Sequence, residues 1–221
     1  MKVIQLKLLA TGLNFRAGQF VSIEMMDHRR GIKTFRSYSI ANSDAVSDVL
    51  ELCVSYNDDP DSVGHTFIRN LTVGAEVLFR GPFGKFVFES APDSDVVFMA
   101  GGSGIAPIVS MIRGLESVKF PHKVSLYYGV RHEPDFCYRD YFESLRDAFP
   151  QFSLFLCVSD QSTSGNSGAY SGRVTSVFDE HLPSLVASDF YLCGSPPMVK
   201  SAEELLLAKA IDAGRIKKES Y

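Results

Sequence analysis

Three glycines and a serine follow a short apolar run in Asp95-Val-Val-Phe-Met-Ala-Gly-Gly-Ser-Gly-Ile-Ala-Pro107. Missing side chains at Gly101, Gly102 and Gly104 let the chain turn sharply and let another molecule approach its backbone. Ile105, Ile108, Val109, Ile112 and Leu115 then fall on one helical stripe. Pro107 sits in the first turn of that helix, where its missing N–H costs nothing. Strand, glycine turn and helix start together aim free N–H groups and the positive end of the helix dipole at an anion. A pyrophosphate suits that geometry, with Gly101, Gly102, Ser103 and Gly104 against it. The segment alone also reads as a tight turn that binds nothing, because Pro107 stands where the Gly-x-Gly-x-x-Gly pattern has its last glycine.

Two textures of sequence surround this turn. From Met1 to about Glu89, short alternating runs predict strands at Val3–Leu8, Gly18–Glu24, Phe35–Ile40, Val49–Val54 and Glu76–Phe79. Gly12, Asn57-Asp-Asp-Pro60, Gly74 and Gly81-Pro-Phe-Gly84 punctuate them. Many short strands argue for a small antiparallel barrel, with one short helix over Thr66–Leu71. After Ser90-Ala-Pro-Asp93, strands at Val96–Met99, Val124–Tyr128, Phe152–Val158 and Phe190–Cys193 alternate with helical stretches near 105–117, 138–149, 173–181 and 197–213. That alternation predicts a parallel sheet covered on both faces, with ligands at the carboxyl ends of its strands. Gly101–Gly104, Gly129-Val-Arg131 and Gly194-Ser-Pro-Pro197 all stand at such ends. Gln161-Ser-Thr-Ser-Gly-Asn-Ser-Gly168 reads as a surface loop.

Composition narrows the classes. The 221 residues suffice for a packed core, and 45% hydrophobic with 22% charged residues is ordinary for a globular protein. A net charge of −4 offers nucleic acid or an anionic membrane no attraction. No apolar run reaches the roughly 18 residues of a membrane span. Cys53, Cys137, Cys157 and Cys193 lie far apart without Cys-x-x-Cys spacing, which argues against a zinc or iron–sulfur site within this chain. A reducing, cytoplasmic setting is the default.

Arg36-Ser-Tyr-Ser39, Gly101-Gly-Ser-Gly-Ile-Ala-Pro107 and Cys193-Gly-Ser-Pro-Pro-Met198, in that order and spacing, resemble the ferredoxin–NADP reductase superfamily. Within it the chain is most similar to reductase components of bacterial multicomponent oxygenases. The resemblance implies an antiparallel flavin-binding β-barrel over 1–90, followed by a doubly wound parallel-sheet nicotinamide-dinucleotide domain over 91–221. Family barrels begin one strand further upstream, so the resemblance leaves the first barrel strand missing and allows a longer parent with an iron–sulfur domain.

The same resemblance distributes roles among residues. Arg36 offers a two-pronged donor for a flavin phosphate, Tyr38 a flat face and a hydroxyl, and Ser39 a hydrogen bond near flavin N5. Read singly, Arg36 is a surface ion pair and Tyr38 a core tyrosine. Ser37 and Val54 join these cofactor contacts. Gly64, His65 and Thr66 take the second phosphate role, although the family spacing of glycine and hydroxyl is shifted here by one place. Cys193 and Gly194 lie beside the nicotinamide, with the Cys193 thiol helping to set its distance from N5. Glu219 and Tyr221 match an ending in which an aromatic ring covers the flavin and moves aside for the nicotinamide.

Ser159-Asp160 stands where NADP-specific relatives carry a Ser-Arg pair. A carboxylate there favours NADH, while Arg131 at the neighbouring strand end speaks for NADPH. The implied activity is hydride transfer from NADH, or NADPH, to FAD, then single electrons to a protein acceptor such as a ferredoxin or an oxygenase component. An NAD(P)H:flavin reductase releasing free reduced flavin and a non-catalytic nucleotide-binding module are the alternatives. The oligomeric state has no signature in the sequence.

Overall fold

The computed structural model describes residues 1–9, 12–44, 48–57, 59–89, 93–160, 168–181 and 188–221. The expected boundary at 90/91 and nearly all of the 161–168 loop lie outside the described residues. In the first half, β1 (Lys2–Lys7) pairs antiparallel with β4 (Val49–Val54). A second antiparallel sheet places β2 (Phe20–Asp27) between β3 (Ile32–Ser39) and β5 (Phe79–Phe83). The Ile40–Leu52 bridge and a 2.8 Å bond from Ala41 N–H to the Glu51 carbonyl join the two sheets. Between them lies one apolar core, containing Val21, Ile23 and Met25 of β2, Leu50, Leu52 and Val54 of β4, and Ile40.

Two sequence expectations shift here. The strand predicted at Glu76–Phe79 begins only at Phe79 and runs through the Gly81-Pro82 pair that reads as a turn. A register irregularity between Phe20 and Ser22 of β2 accommodates that pair, as an edge bulge does. The short helix α1 (Val63–Asn70) starts three residues before the predicted Thr66. Ser62 explains the difference, because its hydroxyl caps the helix by accepting from the His65 N–H at 3.3 Å.

The second half is a six-stranded sheet with every pairing parallel. Its strands are β6 (Asp95–Gly101), β7 (Val124–Val130), β8 (Phe152–Val158), β9 (Tyr170–Ser171), β10 (Ser188–Gly194) and β11 (Ile216–Ser220), ordered β11-β10-β6-β7-β8-β9. The chain steps outward from β6 to β9, then crosses back to β10 on the other side of β6. The switch point of the sheet therefore lies between β6 and β10, where such folds open a crevice.

Helices cover both faces. On one, α2 (Ile105–Ser117) and α3 (Arg139–Ala148) pack Ile108, Ile112, Phe142 and Leu145 against the sheet. On the other, α4 (Val174–Glu180) and α5 (Pro196–Ala208) contribute Val177, Phe178, Ala202 and Leu206. Each such aliphatic or aromatic side chain contributes roughly 1.5–3 kcal/mol by leaving water. The last helix, predicted to reach 213, stops at Ala208, and Ala210 takes φ +59°. That turn frees the chain to add β11, a strand too polar in Ile216-Lys-Lys-Glu-Ser220 to announce itself.

Candidate functional site

A cavity of about 580 Å³ opens where the first half meets the second. Its walls include Phe20, all of Arg36–Ser39, Cys53, Val54, Gly64, His65, Ser103, Ala106 and Glu219–Tyr221. The β2–β3 ladder holds this wall, with Phe20 opposite Ser39, Val21 opposite Tyr38 and Ile23 opposite Arg36. Ser39 is buried, whereas Arg36 and Ser37 are exposed at the cavity mouth. The Arg36 guanidinium donates to the Phe35 carbonyl at 2.9 Å and to Thr34 Oγ1 at 3.2 Å. Burial raises the Tyr38 hydroxyl above its ordinary value, with the Arg36 charge opposing, so it remains a neutral donor and acceptor.

Two features of this wall suit a large ligand. A side chain at Gly64 would meet the Tyr38 hydroxyl at 3.3 Å, so glycine there keeps the space between α1 and β3 open. Nδ1 of His65 is buried on the cavity wall without a hydrogen-bond partner, a vacancy that a phosphate or ribityl oxygen can fill. Thr66 stands apart from them. Its Oγ1 approaches the Pro60 carbonyl at 3.5 Å, and it lines a separate cavity behind α1.

A second cavity, of about 670 Å³, lies over the carboxyl ends of the parallel strands. Gly101, Gly102 and Ser103 form one wall, Gly129–Arg131 and Ser159 another, and Arg173–Thr175, Pro197, Met198 and Ser201 a third, with Ser55 and Tyr221 also lining it. Gly102 has φ +56° and nothing within 4 Å of where a Cβ would be, so its backbone faces open space. Gly104 is different. A Cβ there would lie 2.3 Å from the Cys193 carbonyl oxygen, so this glycine serves the packing of the turn against β10 rather than ligand approach. Gly101 and Gly194 face each other across the crevice, where a Cβ on Gly194 would come within 3.1 Å of the Gly101 nitrogen.

Cys193 is fully buried, and burial pushes its thiol up to about 12, so it is a neutral packing group rather than a nucleophile. The Tyr221 hydroxyl lies beside that thiol and Ser103. Burial of the hydroxyl, reinforced by Cys193, holds Tyr221 well above its ordinary value, although the residue as a whole is 55% exposed. Its polar end is thus enclosed while the rest of the residue meets solvent. β11 brings this end of the chain into place, pairing Cys193 with Glu219 and Gly194 with Ser220. The Tyr221 N–H donates to the Gly194 carbonyl at 3.3 Å.

Asp160 follows β8, and its N–H donates to the Arg131 carbonyl at 3.0 Å. Its Oδ2 lies 3.6 Å from His132 Nδ1 and 3.9 Å from Arg131 Nε, so the carboxylate is set among basic groups at the rim. Sequence reasoning passed over Ser55, Arg173, Thr175, Met198 and Ser201 of the second cavity. Only Met198 had a signal, as the end of Cys193-Gly-Ser-Pro-Pro-Met198; the others become visible once the strand ends are brought together.

Among the described residues, no group of three or more His, Cys, Asp or Glu could hold a metal ion, and no helix is long and apolar enough to cross a membrane. Comparison with known proteins bears directly on the two cavities. Residues 1–88 match the model of the oxidoreductase FAD-binding domain, and residues 98–204 that of the oxidoreductase NAD-binding domain. The chain belongs to the ferredoxin reductase-like family. Within this family it is 29% identical over 208 residues to the reductase component of propane 2-monooxygenase from Rhodococcus jostii, a match covering 93% of this chain and 55% of that one. It is 28% identical over 215 residues to the ferredoxin–NAD(P)(+) reductase component of the naphthalene 1,2-dioxygenase/salicylate 5-hydroxylase systems of a Ralstonia species, covering 96% of this chain and 62% of that protein. The Amycolatopsis cytochrome P450 reductase GcoB superposes with a TM-score of 0.86 at 28% identity, over 99% of this chain and 64% of its own. The chain thus spans little more than half the length of these ferredoxin reductase-like relatives. Antiparallel sheets followed by a parallel sheet with helices on both faces is the architecture of the FAD- and NAD-binding oxidoreductases of this family.

Proposed function

We propose that this chain is an NAD(P)H-dependent flavoprotein reductase built of two domains, 1–90 for FAD and 91–221 for the nicotinamide dinucleotide. One observation carries the reading: the two cavities share a wall made of Ser55, Ser103 and Tyr221. Two ligands that fill them are therefore separated by Tyr221, a residue buried at its hydroxyl and otherwise exposed.

In this reading Arg36, Ser37, Tyr38, Ser39, Val54, Gly64 and His65 hold the FAD. Gly101, Gly102, Ser103, Arg131 and Ser159 line the dinucleotide site, while Gly194 lets β10 approach β6 and Gly104 lets the turn pack on β10 closely enough to form it. Bound FAD would take two electrons from a reduced nicotinamide and return them singly to an acceptor. The protein's part is orientation. Ser39 presents a buried hydroxyl to the first cavity, and the Cys193 backbone packs against Gly104 of the glycine turn. Tyr221 shields the first cavity from water until a nicotinamide ring replaces it. Glu219, whose carboxyl burial raises above its ordinary value, lies beside them as a proton-holding group.

NADH is the favoured donor, because the Asp160 carboxylate, next to Ser159 of the second cavity, repels a 2′-phosphate, with the Arg131 cation beside it offsetting part of that charge. The acceptor is an electron-carrying protein of the ferredoxin or oxygenase-component kind. Four free, buried cysteines fit a reducing, cytoplasmic setting.

The test is an anaerobic titration of the FAD-loaded protein with NADH and NADPH in parallel, with gel filtration of the same sample. Tightly held flavin bleached faster by NADH is the expected result. Faster bleaching by NADPH overturns the role of Asp160, loss of flavin on the column points to a free-flavin reductase, and no bleaching by either donor overturns the enzyme reading.

A further inference from the structure

α2 does more than begin at the glycine turn. Ala106, Ser110 and Arg113, spaced four and three residues apart, form one stripe along it that faces the first half of the molecule. Ala106 lines the FAD cavity. Ser110 donates from Oγ to the Asn42 carbonyl at 2.7 Å, and Arg113 donates from Nη1 to the Ala41 carbonyl at 2.9 Å. Those two carbonyls lie two and three residues beyond Ser39, on the continuation of the strand that carries Arg36–Ser39.

Arg113 is held on every side. The same Nη1 meets Glu51 Oε1 at 2.7 Å, and the other carboxylate oxygen accepts from Gln5 Nε2 at 3.0 Å. The guanidinium lies 5.2 Å from the ring centres of both Tyr138 and Tyr141. Glu51 is buried, and its N–H is itself fixed by Asn42 Oδ1 at 2.9 Å. Burial pushes the Glu51 carboxyl upward, but hydrogen bonds from Arg113 and Gln5 and the Arg113 charge outweigh it and leave it below the ordinary carboxylate value. This seam therefore joins β1, β4, the segment after β3 and α2 through the bonds of Gln5, Asn42, Glu51, Ser110 and Arg113, and α3 through the Tyr141 ring.

We propose that Ser110 and Arg113 are positioning residues that set the separation between the FAD cavity and the glycine turn, and that Glu51 holds Arg113 in place to do so. The inference rests on the reductase reading above. One end of α2 carries Ser103, the shared wall, and its side grips the backbone just past Ser39. Any slip of the first half along α2 changes the distance between Ser39 and Gly101–Gly104, across cavities whose walls come from both halves. Transfer between two stacked rings depends steeply on such a slip: a misplacement of about 1 Å can lower a rate roughly 100-fold.

The experiment compares the full chain with Ser110→Ala, Arg113→Met and Arg113→Lys. Stopped-flow reduction by NADH gives the limiting rate, and flavin and NADH affinities are measured on the same samples. Arg113→Met is expected to slow the limiting rate at saturating flavin and NADH about tenfold or more, a larger factor than the change in either affinity. Arg113→Lys restores part of the rate, and Ser110→Ala, which leaves the ion pair intact, loses roughly two- to fivefold.

A second readout needs no cofactor. Spin labels at Lys33→Cys and Asp140→Cys, both exposed, report the separation of the halves in the apoprotein. Arg113→Met broadens that distance distribution, and Arg113→Lys narrows it again. Limiting rates and label distances that match the parent in both Ser110→Ala and Arg113→Lys, whatever the fate of Arg113→Met, overturn the proposal. A rate that falls only in step with flavin loss does so too. An unmodified protein that NADH and NADPH both fail to bleach overturns the reductase reading instead, while the label distances still decide whether the seam sets the separation.

Discussion

Glu219 sits at the edge of the FAD cavity with its carboxyl raised above the ordinary value, and burial is the cause. A carboxyl whose folded value exceeds its unfolded one favours the folded state while protonated. That contribution is full below the unfolded value near 4.5 and is lost as pH rises through the folded value. Glu219→Gln keeps a neutral side chain of the same shape at every pH. In the cofactor-free protein it is expected to raise the melting temperature by about 1–3 °C at about pH 8 and to leave it unchanged at about pH 4. An equal shift at both values would mean that the charge is not what burial penalises. Tyr221 adds nothing to this profile, because its hydroxyl stays protonated well above its ordinary value.

At the scale of elements, the glycine turn between β6 and α2 divides its labour. Gly102 takes a positive φ over open space, so Gly102→Ala adds roughly 1 kcal/mol of backbone strain and projects a methyl group near the dinucleotide. Gly104→Ala drives a Cβ into the backbone of Cys193 and Gly194, at 2.3 to 2.8 Å from their atoms. Backbone cannot yield as a side-chain tip does, so this variant is expected to lose more than about 3 kcal/mol and to express poorly. Melting curves and the KM for NADH separate the two: Gly102→Ala keeps its fold and raises KM tenfold or more, while Gly104→Ala fails at folding. From the sequence alone the two glycines look alike. The alternation of strands and helices after Asp95 was legible because buried parallel strands are continuous apolar runs, as in Val96–Met99 and Phe152–Val158. β11 was not, since an edge strand with two lysines carries no such run. The motif residues of the site were legible as Arg36–Ser39 and Gly101–Gly104, whereas Arg173 and Thr175 reach the cavity only through the crossover that follows β9. The seam at Arg113 had no motif at all, because its partners are backbone carbonyls and a glutamate 62 residues away.

At the scale of the whole molecule, neither half completes the FAD cavity by itself. Phe20, Arg36–Ser39, Val54 and His65 come from the antiparallel sheets and α1, while Ser103, Ala106 and Glu219–Tyr221 come from the parallel half. A ligand that binds this cavity therefore favours the docked arrangement of both halves over either half alone. With FAD at 100 times its dissociation constant, mass action adds about 2.7 kcal/mol to the folded state. For a chain of this length that is roughly 5–10 °C in the melting transition. Differential scanning calorimetry of the cofactor-free and FAD-saturated protein checks it. If the shared walls bind the flavin as proposed, the heat absorbed by both halves moves upward together, and a double transition in the apoprotein becomes single. Should only part of the heat shift, the flavin is held by the antiparallel half alone, and residues 219–221 stand outside the site. Arg113→Met carries the same logic in reverse: it leaves Glu51 buried without its cation and costs roughly 3 kcal/mol, the low end for an unpaired buried charge because both side chains keep some solvent contact. Part of the FAD binding free energy then goes into docking the halves without the seam, so at the same free FAD concentration its stabilising effect on that variant is expected to equal its effect on the parent or fall short of it.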